Sequence, residues 1–229
     1  MMTDAALRIY TRLVEFLGQA LGPDYEVALH DMSRKSPSVV ALANGQISGR
    51  TIGAPPTNIA LQIMAERSYE NRDSLVNYRG TSAAGKALRC STFFIKDERG
   101  QLQGMLCINF DDSRYSELSQ KVFALCHPDD FVKSNIAISS LPPLGESGGQ
   151  ENFYASIGAA VEDALISVMN SDDVPPERLT QEEKLKVISL LEQKGIFMLK
   201  GAVIEVAKKL ACSQASIYRY LSKLNWDKK

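Results

Sequence analysis

A β-hairpin is the feature of this sequence that most restricts how the chain folds. Two apolar runs, 87–96 and 102–110, flank the turn sequence Asp97-Glu98-Arg99-Gly100. Glycine supplies the left-handed backbone conformation that such a turn requires, and both runs have the length of ordinary strands. The chain is therefore predicted to contain an antiparallel sheet.

The elements around the hairpin favour an α+β fold. Apolar residues recur at helical spacing over 4–21, and strands are predicted over 25–29 and 38–43. A helix that begins near Thr57 or Asn58 follows them, and a second short helix is expected over 115–125. A helix, two strands, short helices and a long hairpin, in that order, are typical of an antiparallel sheet with helices packed on one face.

The last fifty residues contain a second informative pattern. Thr180-Gln181-Glu182-Glu183 is a capping box, which predicts a helix reaching to about Lys194. Two more amphipathic helices follow, and the one that ends at Leu210 is separated by a short turn from the one that Ser213 caps. This spacing is typical of a helix-turn-helix, in which the second helix enters the major groove of DNA. Because many such turns have glycine where this chain has Ala211, we expect left-handed strain there.

The charge distribution agrees with a nucleic-acid partner. Residues 181–229 contain ten basic and five acidic side chains, whereas the first 180 residues contain 16 basic and 22 acidic ones. A basic tail on an acidic body predicts an electrostatic nucleic-acid footprint, and the alternative is a solvated charged helix. Arginine reads guanine edges, glutamine reads adenine, and flanking lysines contact phosphates. The predicted DNA-binding residues are Ser213, Gln214, Ala215, Ser216, Tyr218, Arg219, Lys208, Lys209 and Lys223.

Most of the chain resembles a known family of bacterial regulators. The tail, including Gly195-Ile196-Phe197-Met198-Leu199-Lys200-Gly201-Ala202-Val203, resembles the helix-turn-helix of resolvase-like and DauR-like regulators. The body is similar to the YheO-like PAS domain in five segments: 29–31, 41–50, 77–80, 88–95 and 104–109. The resemblance implies a cytoplasmic DNA-binding transcriptional regulator, which we expect to be a repressor, with a PAS-type domain that senses a small metabolite.

The resemblance also suggests how the chain is divided. We expect a PAS-like sensor over 1–130, a linker over 131–179 and an all-α helix-turn-helix domain over 180–229. The linker region contains flexible stretches at 142–150 and 171–176 and a connecting helix at 152–169. Since a paired helix-turn-helix matches two half-sites on DNA, we expect a homodimer, with the apolar stripe around Val161 as its seam.

A PAS-type fold places its ligand pocket between the sheet and the short helices, so polar residues of these segments are candidate ligand contacts. They are His30, Asp31, Asn44, Arg50, Asn77, Tyr78, Ser91, Thr92 and Asn109. Arg50 would bind a carboxylate or phosphate through two parallel hydrogen bonds. The alternative is structural, because asparagine beside glycine usually forms turns and serine or threonine in a strand usually binds backbone.

Several other classes of function are not supported. Sequence signatures of hydrolases, zinc proteases and nucleotide-binding loops are absent, which predicts that the chain is not an enzyme. The two histidines, His30 and His127, and the four unpaired-looking cysteines predict neither a metal site nor a disulfide framework, and no cofactor is expected. No run is apolar enough to span a membrane. The alternative function is a protein-interaction module without direct DNA binding.

Overall fold

The computed structural model describes residues 2–32, 38–126, 151–154, 156–169 and 179–226, with side chains to residue 224. The predicted linkers at 142–150 and 171–176 therefore lie outside the described residues, as does His127. In the body, the elements are α1 (Asp4–Leu21), β1 (Tyr25–Asp31), β2 (Ser38–Ala43), α2 (Asn58–Glu66), β3 (Ser74–Thr81), β4 (Ala87–Lys96), β5 (Leu102–Asp111) and α3 (Ser113–Cys126). They are followed by β6 (Glu151–Asn152), α4 (Ile157–Met169), α5 (Gln181–Gln193), α6 (Ala202–Lys209) and α7 (Gln214–Trp226).

The six strands form one sheet in the order β2-β1-β5-β4-β3-β6. Every neighbouring pair is antiparallel except β3 and β6, which pair in parallel through Gly80 opposite Glu151 and Thr81 opposite Asn152. The predicted hairpin is confirmed as β4 and β5, with Gly100 at φ 75° in its turn. The first strand thus lies beside the last strand of the hairpin, and β1, β5, β4 and β3 each have a neighbour on both sides, while β2 and β6 form the edges.

Helices lie on both faces of the sheet, whereas the sequence pattern predicted them on one face. On one face, α1 packs Leu7, Leu13 and Leu17 around Val14 against Val27 and other apolar side chains of the strands. On the other face, α2 and a single 3-10 turn at Ser68–Glu70 enclose an interior that includes Ala28, Met105 and Phe94. Successive strand residues alternate between these faces, so β1 sends Val27 to α1 and Ala28 to the interior.

The tail helices share one apolar core. Helices α4, α5, α6 and α7 contribute buried residues such as Ile188, Val206 and Ile217, and Leu61 of α2 joins the same cluster from the body. A methyl group added at Gly195 would lie 2.9 Å from the Leu61 carbonyl oxygen, so only glycine allows this close approach. The tail is therefore packed directly against α2.

Two expectations from the sequence are corrected here. The helix expected from residue 152 begins at Ile157, because 151–152 pairs with β3, a strand that the sequence analysis did not predict. The stripe around Val161 is not a dimer seam, because Val161 is 0% exposed and packs inside the tail core of its own chain. None of the helices in the described part of the chain is long and apolar enough to cross a membrane.

Candidate functional site

The two tail helices are joined by the tight turn that the sequence predicts. Ala211 has φ 47°, which confirms the left-handed conformation expected at this position. The Ser213 hydroxyl accepts a hydrogen bond from the Ser216 amide at 3.1 Å, so Ser213 caps the second helix. Leu210 and Ile217 are fully buried on either side of the turn and fix α6 against α7. The turn therefore holds the second helix in a defined orientation on the tail core.

The opposite face of α7 is open to solvent. Ser213, Gln214, Ala215, Tyr218 and Arg219 are exposed, whereas Ser216 is half-buried. Tyr218 is 58% exposed, whereas a tyrosine that packs in a core buries a large part of its surface. The Arg219 guanidinium lies 5.8 Å from the centre of the Tyr220 ring, close enough for a cation–π contact. This face therefore presents hydroxyl, amide, phenol and guanidinium groups to solvent at the start of α7.

The three lysines that were predicted to flank this helix differ in their surroundings. Lys208, in the last turn of α6, and Lys223, in the last turn of α7, are exposed. Lys209 is half-buried, and its Nζ lies 3.1 Å from a carboxylate oxygen of Glu162 on α4. An ion pair between two partly exposed side chains stabilises the fold by less than about 1 kcal/mol. A phosphate therefore competes with Glu162 for Lys209 at little cost.

A second cluster of polar residues lies inside the body. Glu26 of β1 is 0% exposed, and Arg50 is 4% exposed. Arg50 donates to Glu26 Oε1 at 2.6 Å, and Asn109 of β5 donates to the same oxygen at 2.8 Å. Ser48 donates its hydroxyl to the other carboxylate oxygen of Glu26 and accepts from Arg50 Nε at 3.1 Å. The guanidinium is therefore held by a buried carboxylate of its own chain.

His30 extends this cluster along the inner face of β1. Its Nε2 lies 3.2 Å from a terminal nitrogen of Arg50, which makes Nε2 the acceptor and leaves the proton on Nδ1. Complete burial, aided by the charge of Arg50, lowers the pKa of His30 to about 3, so the ring is neutral at pH 7. Burial by itself lowers the pKa of the Arg50 guanidinium. The charge and hydrogen bond of Glu26 outweigh this effect, so the pKa is raised above its usual value.

A third group of polar side chains surrounds Glu151 of β6, which is 3% exposed. The Thr57 hydroxyl donates to Glu151 Oε1 at 2.6 Å, and the Cys90 thiol and Tyr78 hydroxyl face the same carboxyl group. Burial raises the pKa of this carboxyl group. Among the described residues, no hydrogen-bond partner of ordinary length is found for Glu151 Oε2, His30 Nδ1 or Asn109 Oδ1. Buried polar atoms without partners are uncommon in folded proteins, so this interior differs from an ordinary apolar core.

Comparison with known families decides where the body belongs. The model of the YheO-like PAS domain matches residues 1–127. The chain belongs to the YheO-like PAS family. A helix-turn-helix domain model matches residues 160–222, a range that begins within α4 and ends within α7. The chain is thus an α+β protein, in which a PAS sheet with flanking helices is followed by a helical region with a helix-turn-helix.

Relatives that align with most of this chain occur in several bacteria. YheO of Escherichia coli (strain K12) is 25% identical over 215 residues, which cover 94% of this chain and 83% of that protein. A protein of Haemophilus influenzae is 24% identical over 97% of this chain and 93% of its own length. The transcriptional regulator DauR of Pseudomonas aeruginosa is 24% identical over 96% of this chain and 95% of that one. These matches extend over both regions and support a DNA-binding regulator with a PAS domain.

The PAS domain brings only some of the predicted ligand residues together. His30, Arg50, Tyr78, Thr92 and Asn109 lie in its interior, where Tyr78 and Thr92 share a hydrogen bond of 2.8 Å and Thr92 donates to Cys107 at 3.3 Å. Burial raises the pKa of the Cys107 thiol to about 12, so this group stays protonated.

The other predicted ligand residues lie apart from this group. Asn44 has φ 55° and binds the carbonyl groups of Gly18, Gly22 and Tyr25, which is a structural role. Asn77, at φ 56°, lies at an irregularity in the pairing of β3, where its backbone amide donates a hydrogen bond to the Ser91 hydroxyl. Asp31 is buried at the end of β1.

Sequence reasoning missed Glu26, Ser48, Thr57, Glu151 and Phe153 as members of the PAS interior. Glu26 had a detectable signal, because it alternates with Ala28 and His30 on the inner face of β1. Glu151 and Phe153 had none, because nothing near them in sequence shows that this segment returns to β3. The described residues contain no cluster of three or more metal-ligating side chains.

Proposed function

We propose that this chain is a bacterial transcriptional repressor that binds operator DNA through α7 and senses a small metabolite in its PAS interior. The observation that supports DNA binding most directly is the exposed face of α7 on a buried helix-turn-helix core. The relative DauR is named as a transcriptional regulator. In this proposal the protein works in the cytoplasm and catalyses no reaction.

On DNA, the first turns of α7 lie in the major groove. Arg219 pairs with a guanine edge, Gln214 pairs with adenine, and Tyr218 contacts apolar or phosphate groups beside them. Lys208 and Lys223 bind phosphates on the two sides of the groove, and Lys209 joins them by leaving Glu162. The base contacts supply specificity, while the lysines supply affinity that depends on salt.

The PAS interior is the proposed sensor because it combines buried polar groups with direct packing against the tail. An effector shifts the protein between two states only by its difference in affinity for them. Leu61 of α2 belongs to the tail core, so a movement of α2 changes the support of the DNA-binding helices. The close approach of Gly195 to the Leu61 carbonyl group is a second point of contact between α2 and the tail.

We further propose a homodimer, because one helix-turn-helix reads only one half-site. The surface that suits a second copy is α3, where Leu118, Val122 and Leu125 are exposed at the spacing of a helix-pairing stripe. Arg114, Glu117 and Lys121 place both signs of charge on the same helix, so ion pairs between two copies of α3 accompany the apolar contact. Leu118→Glu is expected to halve the mass in light scattering, and an unchanged mass would exclude this surface.

The test of DNA binding compares alanine variants on the operator and on unrelated DNA. Arg219→Ala should weaken operator binding by about 1–3 kcal/mol, roughly 5- to 150-fold, and reduce the preference for the cognate base. Lys208→Ala should weaken binding to the operator and to unrelated DNA by the same factor, because a phosphate contact carries no sequence information. Arg72→Ala, an exposed arginine of the PAS domain, is the matched control and should have no effect. Operator binding like wild type in both tail variants would contradict the proposal and favour an interaction module.

A further inference from the structure

Residues 151–154 connect the interior of the PAS domain with the tail. Glu151 and Phe153 are buried in the PAS interior, whereas Asn152 and Tyr154 point to the other side, as successive residues of an extended segment do. Asn152 Nδ2 lies 3.1 Å from Asp163 Oδ1, and the Tyr154 hydroxyl donates to Asp163 Oδ2 at 2.5 Å. Asp163 belongs to α4, so the four residues link the inner site directly to the helix-turn-helix region.

The two inward side chains occupy the PAS interior in the way that a bound molecule does. The carboxyl group of Glu151 binds Thr57 at 2.6 Å, and the ring of Phe153 lies 4.6 Å from the central carbon of the Arg50 guanidinium. Gly80 makes room for the ring, because a methyl group there would lie 3.0 Å from it and 2.6 Å from the Cys90 sulfur. The site therefore accommodates an acidic group and an aromatic ring side by side.

The surroundings of the Glu151 carboxyl group favour an acceptor. Thr57 and Cys90 face it with donor groups, and Arg50 supplies positive charge nearby. One oxygen, Oε2, still lacks a hydrogen bond of ordinary length within the described part of the chain. Because burial of Glu151 carries an energetic cost, its return to water offsets part of the cost of displacing the segment.

We propose that residues 151–154 are a built-in occupant of the sensor site, and that the effector is a small carboxylic acid with an aromatic ring that displaces them. This inference rests on the proposed function, because it assigns the chemical class of the effector. The carboxylate of the effector replaces Glu151 at Thr57, and its ring replaces Phe153 on Arg50. Displacement withdraws Asn152 and Tyr154 from Asp163, and this loss transmits the binding event to α4.

The proposal has a quantitative consequence for affinity. A tethered segment competes at an effective concentration in the millimolar range, and a ligand binds only the fraction of molecules in which the site is open. Removing the side chains of Glu151 and Phe153 should therefore strengthen binding of a free acid. The space vacated by both side chains suits a ring of the size of benzene, which cavities of about 150 Å³ accept.

The experiment uses the full chain and 3-phenylpropanoate as the probe, with 3-phenylpropanamide as its uncharged counterpart. Calorimetric titration of the Glu151→Ala, Phe153→Ala double variant should give at least tenfold tighter binding of the acid than wild type gives. The amide should bind the same variant at least tenfold more weakly than the acid. The matched control removes the same residue types from the surface, as Glu98→Ala with Phe16→Ala, and should bind the acid as wild type does.

A second readout needs no variant and covers the case in which the double variant does not fold. Hydrogen exchange of the amides of 151–154 in wild type should increase with saturating acid and stay unchanged with the amide. Equal acid affinity in wild type and double variant, equal affinity for acid and amide, or no exchange response to saturating acid would each overturn the proposal. Neither measurement contains DNA, so failure of this inference and failure of the DNA-binding proposal are distinguishable.

Discussion

Removal of the Arg50 guanidinium tests whether the buried polar cluster holds the PAS domain together. Arg50→Met keeps a long apolar stem but removes the 2.6 Å pair with Glu26 and the contacts with Ser48 and His30. Glu26 is then a carboxylate with 0% exposure that keeps only its bonds from Ser48 and Asn109. Breaking a buried pair in this way costs about 3–5 kcal/mol, because an uncompensated charge stays buried.

Urea unfolding followed by circular dichroism measures this loss. With a slope of about 2 kcal/mol per molar urea, the midpoint should fall by about 2 M. Lys86→Met is the control at an exposed pair: its side chain is 52% exposed and lies 3.0 Å from Asp111, so its loss should cost less than about 1 kcal/mol. Adding Glu26→Gln to Arg50→Met should recover part of the lost stability. Equal midpoints for Arg50→Met and Lys86→Met would refute the reasoning.

Three further predictions follow from the described contacts. Ala211→Gly should stabilise the chain by up to about 1 kcal/mol, because it relieves a left-handed alanine at φ 47°, and a lower melting temperature would contradict this. Val161→Glu should unfold the tail helices by burying a charge, rather than yield the folded monomer that a dimer seam predicts, and circular dichroism with light scattering separates the two. The pKa of His30 is lowered to about 3, so the unfolded chain binds a proton near pH 6.5 before the folded chain does. Stability should fall by about 2 kcal/mol between pH 7.5 and pH 5, and His30→Gln should flatten that loss.

Features that depend on neighbouring residues were predictable from the sequence. The hairpin, the capping box at Thr180, the cap at Ser213 and the strained Ala211 all lie where local rules place them. Each involves a turn or a helix end, where a single residue type satisfies backbone groups that are otherwise unpaired. The exposed face of α7 follows from the same helical spacing.

Features that depend on distant pairing were not predictable. Strand β3 lacks a clear alternation because Asn77 interrupts its register, and β6 is only two residues long. The pairing of Gly80 with Glu151 joins residues about seventy positions apart, and no local pattern encodes it. Arg50 was expected to bind an external anion, yet the partner that it meets is Glu26, because β1 and the loop after β2 place both side chains on the inner face of the sheet.

Salt-dependent binding to the DNA upstream of its own gene tests the regulator proposal most directly. In the proposed complex, the exposed Lys208 and Lys223 bind phosphates, and Lys209 joins them by leaving Glu162. Two to three phosphate contacts per chain predict a slope of about −2 to −3 per chain when the logarithm of the association constant is plotted against that of the salt concentration. We expect this slope together with tighter binding to the upstream fragment than to shuffled DNA. No binding at low salt, or equal binding to both fragments, would contradict the account.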